Sequence, residues 1–261
     1  VKSNLSKIIL AVFNLIGFSA TVFINGLANA LPINGKNTGA ISDSLPNLFA
    51  PAGFIFSIWG LIYIMLLVFS IYQLITVFIK DEKQSEFHDK ISFYFLIASA
   101  ANCCWILAWH FELIVLSLVI MLILFTSLLI IYLRLGIGDM GHSSQEKYFV
   151  HVPFSIYLGW ITVAAIANFT AAFVSIGWKG FGLNPEIWTV AVIIVAVLIS
   201  AGMLFRKKDI YFNIVIIWAL IGIAFKRALF HDAQAVYIAS LAGIIILTVL
   251  NIIQYFRKKV Y

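Results

Sequence analysis

Residues 113–133 read LIVLSLVIMLILFTSLLIIYL, a run without a single charged side chain. A stretch of about 20 apolar residues spans the roughly 30 Å hydrocarbon core of a bilayer as a helix. In lipid the backbone must satisfy its own hydrogen bonds, and a helix does so within one segment. Working outward, seven further apolar runs follow the same logic, at 7–28, 54–79, 91–109, 148–175, 187–205, 210–225 and 235–255. The shortest, 210–225, is about 24 Å long at helical rise and ends at Lys226 and Arg227, whose stems can snorkel to the interface. Of the 261 residues, 63% are hydrophobic and 11% charged, too little polar surface to cover a water-soluble globule. The expected fold class is an all-α membrane protein with eight transmembrane helices.

The basic residues give the orientation. Thirteen of the 17 lysines and arginines lie at one set of helix ends: Lys2, Lys7, Lys80, Lys83, Lys90, Arg134, Lys147, Arg206, Lys207, Lys208, Arg257, Lys258 and Lys259. Lys36, Lys179, Lys226 and Arg227 lie at the other. The positive-inside rule then places both termini in the cytoplasm. Removing the seventh run would strand the Arg206 and Arg257 clusters on opposite sides. The net charge of +6 is a topology signal. No basic patch exceeds three residues, so no nucleic-acid partner is expected. The first run, with Lys2, Lys7 and an Ala28-Asn29-Ala30 that mimics a cleavage site, is longer than a signal-peptide core and is read as a retained helix.

No Asp, Glu, Lys or Arg falls in the middle of a run, which argues against a proton-coupled pump or exchanger. The polar residues within the runs include Asn14, Asn25, Asn102, Asn168, Asn213 and Asn251. Interhelical hydrogen bonding and ligand contact both suit such amides. Cys103 and Cys104 are adjacent with no second pair, so neither a disulfide framework nor a zinc site is indicated. His88, His110, His142, His151 and His231 sit mostly at loops or helix ends. No two have metal-pair spacing on one helix, so no metal is expected. Neither a nucleophile–base pair nor a phosphate loop is visible, and no catalysis is expected.

The tryptophans carry more information. Trp178 and Trp188 flank an outer connection, where interfacial anchoring accounts for them. Trp59, Trp105 and Trp109 lie in the outer parts of their helices, and Trp160 near the middle of the fifth. An outward-opening aromatic cavity and an aromatic belt both fit these positions. The connection 30–53 is the longest outer one and holds Pro32, Gly35, Gly39, Pro46, Pro51 and Gly53. Its Leu45, Leu48 and Phe49 have little reason to face water. They suit a lid over a ligand or a loop packed on the bundle.

The stretch Pro51-Ala52-Gly53-Phe54 through Trp59 to Tyr63 resembles the start of the second helix of the TspO/MBR family. These are the tryptophan-rich sensory or translocator proteins, also called peripheral benzodiazepine receptors. Asn102-Cys103-Cys104-Trp105 resembles the family's Asn-x-x-Trp in helix three. Trp160-x-x-x-Ala164-x-x-x-Asn168 resembles its Trp-x-x-x-Ala-x-x-x-Asn in helix five. The Pro-Ala-Gly lies one residue nearer Trp59 than is usual, and Pro153 lies seven residues before Trp160 where the family has Pro-Tyr four before. The resemblance covers 7–175, so two parts are expected: a five-helix bundle over 1–175 with a lid loop at 30–53, and three added helices over 176–261.

The resemblance implies a pocket under the lid that binds tetrapyrroles such as porphyrin or haem, or other hydrophobic aromatic ligands, with no cofactor required. Ligand-binding residues on that basis are Trp59, Tyr63, Asn102, Trp105, Trp160, Ala164 and Asn168, with Leu45, Leu48, Phe49, Pro51 and Gly53 in the lid. Some members degrade protoporphyrin in light using two tryptophans. One corresponds to Trp59, while Asn168 stands nearest the other, which argues against that activity. The expected function is a receptor or sensor in a bacterial plasma membrane, its partners the lipid bilayer and a hydrophobic small molecule. The oligomeric state is left open. A transporter or permease component is the alternative, opposed by the lack of intramembrane charge and of an internal repeat.

Overall fold

The computed structural model describes residues 4–31, 33–78, 82–139, 141–178 and 180–260. Val1, Lys2, Pro32, Ile79, Lys80 and Lys179 lie outside the described residues, as do the side chains of Lys83, Lys258 and Lys259. Among the described residues every regular element is a helix. The order is α1 (Asn4–Ala30), α2 (Thr38–Ser44), α3 (Ile58–Phe78), α4 (Glu82–Ile91), α5 (Tyr94–His110), α6 (Ile114–Leu135), α7 (Ser144–Glu146), α8 (Val152–Ser175), α9 (Pro185–Lys207), α10 (Ile210–Phe230) and α11 (Gln234–Val260). A 3-10 turn, Gly53–Ser57, leads into α3, and a π-helical turn, Lys147–His151, joins α7 to α8.

Among the described residues, seven helices are long and apolar enough to cross a bilayer, and the eighth apolar helix, Tyr94–His110, has 17 residues. Two expected boundaries move. The run at 91–109 begins only at Tyr94, because Glu82–Ile91 forms a polar helix of its own and Ser92 breaks the path at φ 51°. The run at 210–225 continues to Phe230, giving 21 residues and carrying Lys226 and Arg227 into the helix. Arg227 is buried there and pairs with Asp232 at 2.8 Å. That ion pair removes the reason to end the helix at the first basic residue.

Helix α8 is the centre of the bundle, packed by α3, α6 and α10. Its span is 78% buried, against 22–56% for the other long spans. That explains why its sequence is apolar on every face. Helices α1, α3, α5 and α6 surround it on one side, and α10 on the other carries α9 and α11.

The two ends of the bundle differ in their ionic contacts. At one end Lys7 meets Asp89 at 3.8 Å, Arg134 donates to the Asp89 carbonyl, and Lys207 meets Asp139 at 3.3 Å. At the other, Asn34 donates to the His110 carbonyl, Lys36 pairs with Glu112, Lys226 with Asp43, and Glu186 accepts from the Ala235 amide. Helix α5 therefore joins the same two ends as α1 and α6. Gly138 is required at the first end, since a Cβ there would lie 1.8 Å from the Lys207 carbonyl oxygen.

Candidate functional site

The connection after α1 is more ordered than a loop. Asn37 caps α2 by accepting from the Ala40 amide at 2.8 Å, as short polar N-caps do. Phe49 is 2% exposed, while Leu45 and Leu48 are half-buried against the core. Asn47 ties the segment to α8 by donating to the Ala167 carbonyl at 3.2 Å and the Thr170 hydroxyl at 2.9 Å. The segment therefore lies across the helix ends.

Beneath it the indoles converge. Trp59 stacks on Tyr63 with ring centroids 5.5 Å apart, and meets Trp105 at 6.4 Å, Trp160 at 6.1 Å and Tyr157 at 6.1 Å. Trp105 stacks on Trp109 at 6.0 Å, and Phe56 meets Trp160 edge-on at 5.9 Å. These spacings and tilts are those of attractive aromatic pairs. The tryptophans of α3, α5 and α8 form one cluster and do not point separately into lipid.

Two cavities flank Phe56 and Trp59, which line both. The first is about 360 Å³ and lies between α1, the connection and α3, lined by Asn25, Asn29, Asn37, Thr38, Gly53 and Tyr63 among others. The second is only about 40 Å³ and lies among Trp59, Trp105, Trp109, Trp160, Ala164 and Asn168, with Leu45 and Pro51 above. The expected residues are thus brought together but divided. Tyr63 and Gly53 face the larger space. Trp105, Trp160, Ala164, Asn168, Leu45 and Pro51 face the smaller.

Asn102 faces neither. It is fully buried, accepting from Asn25 Nδ2 at 2.8 Å and donating to the Tyr157 hydroxyl at 2.9 Å. Asn168 is held by Ser117, its Nδ2 donating to Oγ at 3.0 Å. Of the other membrane asparagines, Asn14 bonds Gln73, and Asn213 accepts from Ser200. These bonds between neighbouring helices are the packing use of such side chains. Phe56, Tyr157, Asn25, Asn29 and Thr38 were not singled out as site residues. Phe56 lies inside the quoted motif and Asn25 among the membrane amides, whereas Tyr157, Asn29 and Thr38 carry no local sequence signal.

Three donors at this site have nothing to bond. Tyr63 Oη, Trp105 Nε1 and Trp160 Nε1 are buried without a hydrogen-bond partner among the described residues. By contrast, Trp109 Nε1 donates to the Thr38 carbonyl at 3.3 Å and Trp218 Nε1 to the Ile55 carbonyl at 3.1 Å. Buried polar groups are paired in the great majority of cases, so unpaired ones call for a reason.

The family model for TSPO-like protein matches residues 11–253. The chain belongs to that family. The match runs through α9, α10 and most of α11, well beyond the 7–175 covered by the sequence motifs. No curated protein and no solved structure matches the chain closely enough to count as a relative.

Of the last three helices, α10 reaches the site itself. The Ala52 amide donates to the Gly222 carbonyl at 3.1 Å, and Phe54 packs edge-on against Trp218 and Phe225. A Cβ on Gly222 would lie 2.1 Å from Ile55 Cγ1 and 3.0 Å from Pro51 Cβ, so α10 can seat this turn only with glycine there.

Proposed function

We propose that this TSPO-like membrane protein is a receptor or sensor for a large, flat, hydrophobic ligand of the tetrapyrrole type, porphyrin or haem, and that it binds without catalysis. The observation that carries the reading is the convergence of Trp59, Trp105 and Trp160 with three unpaired buried donors. Aromatic faces suit a flat conjugated ring, and the free Tyr63 hydroxyl and indole N–H groups suit its polar edge. The 360 Å³ cavity falls within the roughly 300–1,000 Å³ of small-molecule sites. The 40 Å³ space among the indoles does not, so binding there requires Phe56 and Trp59, which with Thr38 form the shared wall, to swing aside. The ligand enters from the amide-lined cavity and opens the aromatic one.

In the same reading α5 is the eighth crossing, about 25 Å long at helical rise. The end bearing Lys7, Arg134 and Lys207 faces the cytoplasm with both termini, and the membrane is a bacterial plasma membrane. Helix α10, itself backed by α9 and α11, braces the covering segment.

The test is a titration of the detergent-solubilised full chain with protoporphyrin IX, followed by tryptophan quenching. One saturable site is expected. Trp59→Ala combined with Trp160→Ala should weaken it about tenfold to a hundredfold, as ring contacts of about 0.5–1.5 kcal/mol each imply. Unchanged affinity in the double variant, or quenching that never saturates, overturns the reading.

A further inference from the structure

At the opposite end of the bundle three metal-ligating side chains meet that no part of the proposed site uses. His142 Nδ1 lies 3.2 Å from Glu146 Oε1, and His151 Nε2 lies 3.4 Å from the same oxygen. One ligand atom from each of the three falls within 4.8 Å of the others. The expectation of no histidine pair assumed α-helical spacing along one helix. Residues five apart on an α-helix point about 140° away from each other. The π-helical turn Lys147–His151, closed by the Val152 amide on the Lys147 carbonyl, brings His151 back over Glu146. Such turns recur at functional positions. Ser143 caps the helix start through the Glu146 amide at 3.1 Å and fixes the loop that carries His142.

Chemistry points the same way. Among the described residues the Glu146 carboxylate pairs with no lysine or arginine, only with the two imidazoles. His151 is 5% exposed, and its Nε2 makes no hydrogen bond among the described residues. Its approach to the carboxylate is too long and off-line for one. A cation placed between the three would satisfy that nitrogen and neutralise the carboxylate together. In a tetrahedral site with bonds of about 2.0–2.1 Å, neighbouring ligand atoms lie about 3.3–3.4 Å apart, close to the 3.2 and 3.4 Å from the imidazoles to Glu146 Oε1. The His142 and Glu146 side chains keep 19% and 15% of their surface exposed, enough for an ion and its remaining water to enter.

We propose that His142, Glu146 and His151 form a binding site for a divalent transition metal with imidazole affinity, such as zinc or cobalt. Two nitrogens and one carboxylate oxygen are borderline donors that favour such ions over magnesium or calcium. Bound there, the ion clips the α6–α7 connection to the start of the central helix.

The test uses the full chain in detergent with any affinity tag removed. Cobalt(II) is titrated and its visible absorption followed, with zinc as competitor. One equivalent should bind and give the intense bands of a low-coordinate site, and zinc should displace it. Changes outside the ligand set alone cost about 10–100-fold in metal affinity. His142→Ala and Glu146→Gln should therefore each weaken binding by about a hundredfold and abolish the rise in melting temperature that zinc gives the unsubstituted chain. Glu146→Gln preserves shape, so it reports on the ligand even where His151→Ala misfolds. Binding that exceeds one equivalent without saturating, or affinity unchanged in both His142→Ala and Glu146→Gln, overturns the site.

Discussion

Two buried polar groupings touch the central helix, and they are opposites. Near the start of α8, Asp209 is 4% exposed and fully engaged. The Ser155 hydroxyl lies 2.7 and 2.6 Å from its two oxygens, and the Tyr132 hydroxyl donates at 2.9 Å. The Tyr211 and Phe212 amides complete the set at 3.0 and 3.1 Å, so the carboxylate also caps α10. Further along, around Trp160, the Tyr63, Trp105 and Trp160 donors are buried with no partner among the described residues. A buried carboxylate with every acceptor filled fastens α6, α8 and α10 together. Donors left empty hold the chain in no particular way and remain available to something else. The difference separates the part of this bundle that must stay fixed from the part that can receive a ligand.

The comparison can be broken by substitution. Asp209→Ala should be the largest effect, a loss of about 3–5 kcal/mol, because it strips a buried charged hub from two hydroxyls and a helix cap. Unfolding in detergent against denaturant or heat measures it, and an unchanged midpoint would mean the hub fastens nothing. Next come two deletions of the same atom at the two places. Tyr132→Phe should cost about 1.5–3 kcal/mol, since it removes a hydrogen bond to a charged group. Tyr63→Phe should cost nothing measurable or stabilise slightly, because its hydroxyl is buried and unpaired. The same change should weaken protoporphyrin binding by about tenfold, as loss of a single hydrogen bond does. Equal destabilisation by both changes would erase the contrast.

The smallest effect concerns His88, outside the spans on α4. It is fully buried, with Nε2 3.0 Å from the Thr76 hydroxyl. Burial, reinforced by the charge of Lys7 and opposed by Asp89, lowers its pKa to about 4. The unfolded imidazole, near its ordinary value of about 6.5, takes up a proton that the folded one refuses. Stability from this residue is therefore complete above pH 6.5 and lost as pH falls through that value toward 4. Between pH 7 and pH 6 the loss is roughly 0.5–1 kcal/mol by linkage. His88→Gln should flatten that part of the melting-temperature profile. A profile equally steep in the variant would assign the titration to another group.

Much of the molecule was legible in the chain because the bilayer makes local composition decisive. The run 113–133 appears as Ile114–Leu135 with almost the same limits. The seventh run is cut short at Lys226 because basic residues read as a helix end, whereas the turn at His231 folds Asp232, five residues on, back onto Arg227. At the site, motif spacing chose Trp59, Trp105 and Trp160, which do meet. It also chose Asn102, whose hydrogen bonds to Asn25 and Tyr157 turn it away from both cavities. Which way an amide faces depends on partners 77 and 55 positions away.

The sequence alone determined that the chain is a bundle of apolar helices with its positive charge gathered at one end. Both features are sums over local residues, and transfer into lipid is decided segment by segment. Only the tertiary structure decided that α8 is the axle, that α10 clamps the covering segment at Gly222, and that His142 and His151 converge on Glu146. The first two are choices among equally oily helix faces, settled by contacts between residues far apart in the chain; the last follows from a π-helical turn that local composition does not announce.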